Sequence, residues 1–262
     1  MNFERELAVA RRIATRSADL SLKHFERGVE MEDKSDDSPV TNADREAEVF
    51  LAAALEEAFP DDGQMGEEGV SKPSRSGRTW IIDPIDGTRD FIRGNAQWGV
   101  LLGLEQDGEP VAGVAHFPIM GKTYMGAKGG GAWCNDRAIR VSTVDRLDRA
   151  VICFNGMQNN RKWAYRDMVM DFVSRFWCLR SMSGSPDIMM VASGQADVWV
   201  EPSAKPWDLC PMKVIVEEAG GKFFNFEGTG SIYAGNALAC TPAFEQLLRE
   251  TFVKPEYSKP RA

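Results

Sequence analysis

The chain has 262 residues, 43% of them hydrophobic and 27% charged, which is enough for one large domain or two modest ones with well-buried cores. Its 31 basic residues are outnumbered by 39 acidic ones, and the net charge of −8 argues against nucleic acid or an anionic membrane as the main partner. The five cysteines are odd in number, widely spaced and without a C-x-x-C pair, as expected of reduced, mostly buried thiols in a cytoplasmic protein. The opening residues Met1 to Glu6 are charged and amphipathic rather than those of a signal peptide, and no apolar run approaches the ~20 residues of a membrane span.

Residues 3 to about 27 place Phe3, Leu7, Ala10, Ile13, Ala14, Leu20 and Phe25 at helical spacing, which predicts an amphipathic first helix. Residues 28 to 39 are polar and acidic, with Lys34 among Asp33, Asp36 and Asp37, and read as a loop. Thr41-Asn42-Ala43-Asp44 opens a second helix with Ala47, Phe50, Leu51, Ala54, Leu55 and Ala58 on its apolar side, ended by Pro60-Asp61-Asp62-Gly63. Met65-Gly66-Glu67-Glu68-Gly69 and a Ser/Lys/Arg loop lead to a buried strand over residues 79 to 82. Residues 98–105 and 110–117 flank Gln106-Asp107-Gly108-Glu109 as an antiparallel hairpin, and residues 122–127 and 132–134 form a second pair around three glycines. The first half therefore reads as two helices against an antiparallel sheet.

The second half alternates. A strand at 150–154, a helix at 163–176 and a helix at 187–193, capped by Ser185 with Pro186 at its first position, come first. A strand at 197–201, a helix at 208–219 ended by Gly220-Gly221, a strand at 222–226 and a helix at 242–252 capped by Thr241 complete it. Such alternation argues for an α/β half, with the boundary near residues 141 to 147.

Chemistry concentrates in Trp80-Ile81-Ile82-Asp83-Pro84-Ile85-Asp86-Gly87-Thr88. Asp83 ends the strand, Asp86 follows the proline, and a tight bend could aim both carboxylates into one space. Carboxylates that close repel unless a proton or cation lies between them. With only two histidines in the chain (His24 and His116), the natural neutraliser is a hard, oxygen-seeking cation such as Mg²⁺. Gly87 and Thr88 would offer backbone N–H groups to an anion such as phosphate. The separation of three, with a proline inside, also argues against the D-x-D-x-T arrangement of covalent aspartyl-phosphate chemistry.

Each candidate has a plainer reading when taken singly. Asp86 could serve an Asx-turn, Glu67 and Glu68 could be a solvated pair, and Lys34 a solvated charge. Asp44 could be only the acidic half of a capping box with Thr41, and Asp208 only a helix N-cap beside a core Trp207.

Together they resemble the inositol monophosphatase family of magnesium-dependent, lithium-sensitive phosphomonoesterases. The W-x-x-D-P-x-D-G-T motif of that family is matched by Trp80 to Thr88. Its W-D with a helix ending E-A-G-G is matched by Trp207-Asp208 and Glu218 to Gly221. Gly66-Glu67-Glu68 and Val40 to Asp44 supply two further motifs in the family's order. The resemblance implies a five-layer α-β-α-β-α sandwich, α+β in residues 1–143 and α/β in residues 144–262, with the metals between the halves. It also implies a small phosphorylated substrate, two or three Mg²⁺ ions and a homodimer.

By the same resemblance, Glu67, Asp83 and the Ile85 carbonyl would hold one ion, Asp83, Asp86 and Asp208 a second, and Glu67 would assist a weaker third. Glu67 and Thr88 would orient the attacking water, with Asp44 supporting Thr88, while Gly87 and Thr88 would bind phosphate. Asp86, Ser185 and Glu201 would contact the alcohol, and Lys34 would sit near the metal loop. The chain departs from the usual pattern at Leu209-Cys210-Pro211, where a proline in the helix's first turn should be tolerated. Gly184-Ser185-Pro186 resembles the inositol phosphatases, whereas Phe91-Ile92-Arg93-Gly94 with Trp98 resembles the histidinol-phosphate branch. The first expectation is myo-inositol monophosphate or a similar polyol phosphate, with L-histidinol phosphate as the alternative and a catalytically silent binding protein as the contrasting class.

Overall fold

The computed structural model of the chain describes residues 3–34, 39–182 and 184–257; Asp36 and Asp37 of the expected loop lie outside them. The apolar spacing of the N-terminal segment produces the helix Glu4–Arg27, which buries Ala10, Ile13, Ala14 and Ala18. The second helix, Asn42–Ala58, lies beside it and buries Ala47, Leu51 and Leu55. Both cover one face of an eight-stranded sheet through Trp80, Ile82, Val100, Leu102, Leu104 and Val114. In spatial order that sheet runs Arg137–Ala138, Gly131–Cys134, Lys122–Ala127, Glu109–Phe117, Gly99–Gln106, Arg78–Asp86, Gly63–Gly66 and Ser71–Lys72. Its neighbours are antiparallel except Gly63–Gly66 with Arg78–Asp86, which is parallel.

Side chains alternate across a pleated strand, so Ile81, Leu101, Ala115, Phe117 and Tyr124 face the opposite way. They meet a middle layer made of the helices Gly184–Ala192 and Pro206–Glu218. On the far side of those helices lies a five-stranded sheet in the order Cys178–Arg180, Val151–Phe154, Val198–Glu201, Ala237–Cys240 and Lys222–Phe224. The short helix Val169–Val173 and the helix Glu245–Phe252 close its outer face. The result is the expected five-layer α-β-α-β-α sandwich.

The helix Pro206–Glu218 touches the first sheet backbone to backbone. A Cβ on Gly113 would stand 2.5 Å from the α-carbon of Pro211 and 2.7 Å from its carbonyl oxygen. Pro211 is the sixth residue of this helix rather than part of its first turn, so it removes the bond that Trp207 C=O would otherwise accept.

Several local expectations change. Residues 28–39 are not purely loop: Met31–Asp33 pairs antiparallel with Pro39–Thr41. The central strand continues past Pro84 to Asp86, because its pairing with Gly99–Gln106 shifts register between Asp83 and Asp86 and so demands no N–H from the proline. The helix expected at 163–176 shrinks to Val169–Val173. Trp163 and Tyr165 instead stack at 5.7 Å and fill the core beside Phe226 and Phe252, so aromatic burial outweighs helical propensity there. Ser185 lies inside a helix that already begins at Gly184, and Thr241 makes no side-chain cap. The strands Gly63–Gly66, Cys178–Arg180 and Ala237–Cys240 were not expected, being three or four residues long without strict alternation.

Candidate active site

The site begins where the parallel pairing of two strands stops. Gly66 pairs with Ile82 and ends its strand, so the next residue, Glu67, comes beside Asp83, which goes on pairing with Leu101 on its other side, and Glu67 N–H donates to Ile82 C=O at 3.1 Å. Asp83 is 1% exposed, and its Oδ1 accepts from Ile85 N–H at 3.1 Å, which folds the strand end back on itself. Beyond Asp86, Gly87 adopts φ +83°, and a Cβ there would stand 2.6 Å from Gln97 C=O, so the bend admits only glycine. Helix Thr88–Ile92 starts from that bend.

Asp208 arrives from the other half of the chain. It is the third residue of its helix and accepts from Lys205 N–H at 2.7 Å, so the N-cap is Lys205 rather than the expected Asp208, which reaches back to it. That reciprocal bond turns the carboxylate towards the central strand. One carboxylate oxygen each of Asp83, Asp86 and Asp208 lies within 4.8 Å of the others. Among the described residues this is the one such group of three or more metal-ligating side chains.

Electrostatics show what the triad needs. Burial raises the Asp83 carboxyl well above its usual range, assisted by the charges of Glu67, Asp86 and Asp208. Burial also pushes Asp86 up to about 6 against the opposing hydrogen bond from Ser185, and pushes Asp208 up to about 8 with help from Asp86. Three carboxylates, Asp83 buried and the other two half-buried, that resist ionisation together form a donor set of oxygens only, suited to a hard divalent cation.

Glu67 borders the same cavity, but its Oε1 accepts from Lys34 Nζ at 2.9 Å, and it is not one of the three converging carboxylates. Lys34 also donates to Glu68 Oε1 at 2.7 Å, so it is no free surface charge. Burial opposes its charge, yet the two glutamates outweigh burial and raise its pKa. Behind the loop lies Glu48, absent from the sequence reading. It is 2% exposed, and its carboxylate accepts from Glu68 N–H and Val70 N–H, both at 2.8 Å. Its one signal in the sequence is its place four residues after Asp44, on the same side of the helix.

Asp44 does both things considered for it. Its Oδ2 accepts from Thr41 N–H at 2.8 Å in a true capping box, while its Oδ1 faces Thr88 Oγ1 at 3.4 Å. The Thr88 hydroxyl also lies 3.2 Å from Ile85 C=O. Ser185 Oγ donates to Asp86 Oδ2, which joins the middle helical layer to the triad. Glu201 lies in the wall of the same cavity of about 400 Å³, and burial pushes its carboxyl up to about 8. Phe91 and Trp98 do not face the cavity; they pack edge to face at 4.9 Å in a small core with Ile85 and Ala43.

This layered sandwich, with its acidic triad in the wall of a polar cavity, defines a phosphoric monoester hydrolase of the metal-dependent class. The sequence profile of the inositol monophosphatase family matches residues 3–255, and the chain belongs to that family. It is 37% identical over 234 residues to a histidinol-phosphatase of Chlorobaculum parvum, covering 89% of this chain and 90% of that one. It is 33% identical over 227 residues to an inositol-1-monophosphatase of Rhizobium meliloti, covering 84% and 85%. Among solved structures, the extragenic suppressor protein suhB of Bartonella henselae superposes with a TM-score of 0.87 at 26% identity, covering 96% of this chain and 100% of that one. The Thermotoga maritima IMPase gives 0.85 at 27% identity, covering 95% and 96%.

Proposed function

We propose that the chain uses two or three Mg²⁺ ions to hydrolyse a small phosphomonoester whose alcohol carries a cationic amine, with L-histidinol phosphate as the substrate. The observation that carries the Mg²⁺ assignment is the convergence of Asp83, Asp86 and Asp208 within 4.8 Å. Asp83, Glu67 and the Ile85 carbonyl would hold one ion and Asp83, Asp86 and Asp208 another, with Glu67 assisting a weaker third. When bound, these ions would neutralise the carboxylates and draw negative charge off the phosphoryl and leaving oxygens.

The protein's own groups would do the rest. Glu67 and the Thr88 hydroxyl orient the attacking water, and Asp44 holds Thr88 from behind. The N–H groups of Gly87 and Thr88, left without helical partners at the start of their helix, hold phosphoryl oxygens. Glu201 supports the choice of alcohol, because a buried carboxyl whose pKa is pushed up to about 8 gains most from an ammonium or imidazolium beside it. Two similar proteins named histidinol-phosphatase, from Chlorobaculum parvum and Mycobacterium tuberculosis, support the same choice. A neutral polyol phosphate such as myo-inositol monophosphate is the second reading, favoured by the Rhizobium meliloti relative and by the Ser185 hydroxyl in the cavity wall. The proposal includes a lithium-sensitive cytoplasmic homodimer whose halves, 1–143 and 144–262, each contribute ligands.

Steady-state hydrolysis of L-histidinol phosphate, inositol 1-phosphate and fructose 1,6-bisphosphate, with and without Mg²⁺ and Li⁺, tests this. The highest kcat/KM should fall on histidinol phosphate, and hydrolysis should vanish with chelator. Equal or better use of inositol 1-phosphate would transfer the assignment to the polyol. Metal-independent or absent turnover would remove the Mg²⁺ mechanism altogether.

A further inference from the structure

Asn155 stands at the end of strand Val151–Phe154, where its N–H donates to Val200 C=O at 3.0 Å, and its side chain reaches the cavity wall while only 6% exposed. Its amide makes one bond to each of two neighbouring elements. The neighbouring donors and acceptors set its orientation: Oδ1 accepts from Trp199 Nε1 at 3.0 Å, and Nδ2 donates to Asp187 Oδ2 at 2.8 Å. Those partners belong to the two elements that enclose the alcohol side of the cavity. Trp199 is two residues before Glu201 on the strand Val198–Glu201, and alternation puts both on one side of that strand. Asp187 lies two residues after Ser185 in the first turn of helix Gly184–Ala192, and its Oδ2 also accepts from Met182 N–H at 2.9 Å. Ser185 in turn donates to Asp86 of the acidic triad.

We infer that Asn155 is a positioning residue: its amide ties helix 184–192 to strand 198–201, and so holds the Ser185 hydroxyl on Asp86 at a fixed distance from Glu201. The inference rests on the Mg²⁺ reading above, since it makes Asn155 act on a cation ligand through Ser185. A buried amide bonded to two elements ties them together, and losing it removes the acceptor of the Trp199 N–H and one of the donors to Asp187 Oδ2, which keeps its bond from Met182 N–H. A partner one step behind a metal ligand, as Ser185 would be behind Asp86, governs affinity and rate by roughly 10–100-fold, and Asn155, further back, acts at the low end of that range.

The test is a double-mutant cycle between Asn155→Leu and Ser185→Ala, read by calorimetric titration with Mg²⁺ alone and by kcat and KM on p-nitrophenyl phosphate. Asn155→Leu should weaken Mg²⁺ binding and lower kcat by about tenfold with little change in KM. In the Ser185→Ala background the same change should cost less than about twofold, because the link it acts through is already gone. Asn155→Asp, which keeps the acceptor for Trp199 but sets a carboxylate against Asp187, provides a second variant should the leucine fail to fold, and should lower Mg²⁺ affinity at least as far. Unchanged Mg²⁺ affinity in both variants would overturn the inference, and so would losses that multiply in full across the cycle. Failure of the wild type to bind Mg²⁺ or turn over would instead sink the underlying reading, which keeps the two outcomes apart.

Discussion

The carboxylate of Glu48 occupies the space that a side chain on Gly66 would need, since a Cβ there would collide with both Glu48 carboxylate oxygens. The two residues therefore form one device. The absent side chain admits the carboxylate, and the carboxylate clasps the N–H groups of Glu68 and Val70 just after Glu67. Burial raises the Glu48 carboxyl, and the two backbone donors work against that.

Gly66→Ala should accordingly displace Glu48, loosen the Glu67 loop and lower kcat by roughly 10–100-fold, the usual cost of disturbing a residue behind the ligands. Glu48→Gln, which sets an NH₂ donor against one of the two backbone N–H groups and leaves it without an acceptor, should act in the same direction. Turnover and thermal melting of both variants check this; wild-type kcat in Gly66→Ala would show that the clasp does not govern Glu67.

Asp83→Asn should abolish hydrolysis and weaken divalent-cation binding while leaving the far-ultraviolet circular dichroism unchanged, because Asp83 faces the other carboxylates of the triad. Near-normal kcat in this variant would be fatal to the cation assignment.

Stability without metal should fall as pH rises. Asp86 is pushed up to about 6, and Asp208 and Glu201 to about 8, chiefly by burial, whereas unfolded carboxyls titrate near about 4. The folded state thus retains protons that the unfolded chain releases. Its advantage is complete below about pH 4 and is lost as pH climbs through 6 to 8. In chelator, Tm should drop between pH 5 and pH 8.5, and Mg²⁺ should raise Tm more at pH 8.5 than at pH 5. An Asp208→Asn variant should flatten the slope; a chelated wild type that gains stability across the same range would contradict the assignment.

Glu201→Gln should raise KM for histidinol phosphate more than for p-nitrophenyl phosphate, which carries no cation. A substrate profile identical to that of the wild type would remove Glu201 from the alcohol subsite.

The members of the acidic triad were legible because they sit at chain punctuation. Asp83 ends an apolar β-branched run, Asp86 precedes Gly87, and Asp208 follows a proline and tryptophan at a helix start. What brings acidic residues together was a different matter. Nothing in Gly63-Gln64-Met65-Gly66 announces a strand, yet its parallel pairing is what sets Glu67 beside Asp83. Phe91 and Trp98, which resemble the histidinol-phosphate branch, are packing residues, since a motif cannot say which way its side chains face. Asn155 and Glu48 were silent because each works through partners far away in sequence, Asp187 and Trp199 for one, Glu68 and Val70 for the other. The helix at 163–176 failed for the converse reason: its periodicity is real, but Trp163 and Tyr165 gain more from the aromatic core.

The backbone contact between Gly113 and Pro211 gives the enzyme a fixed gauge. Side chains elsewhere in the middle layer can trade volume with their neighbours, but here no rotamer exists to absorb an error. A single added methyl at position 113 would lift the Asp208 helix bodily off its platform, opening the acidic triad from a point that touches neither cation nor substrate. Drift in this protein is therefore cheapest on its outer faces and most restricted at a glycine whose sequence context advertises nothing.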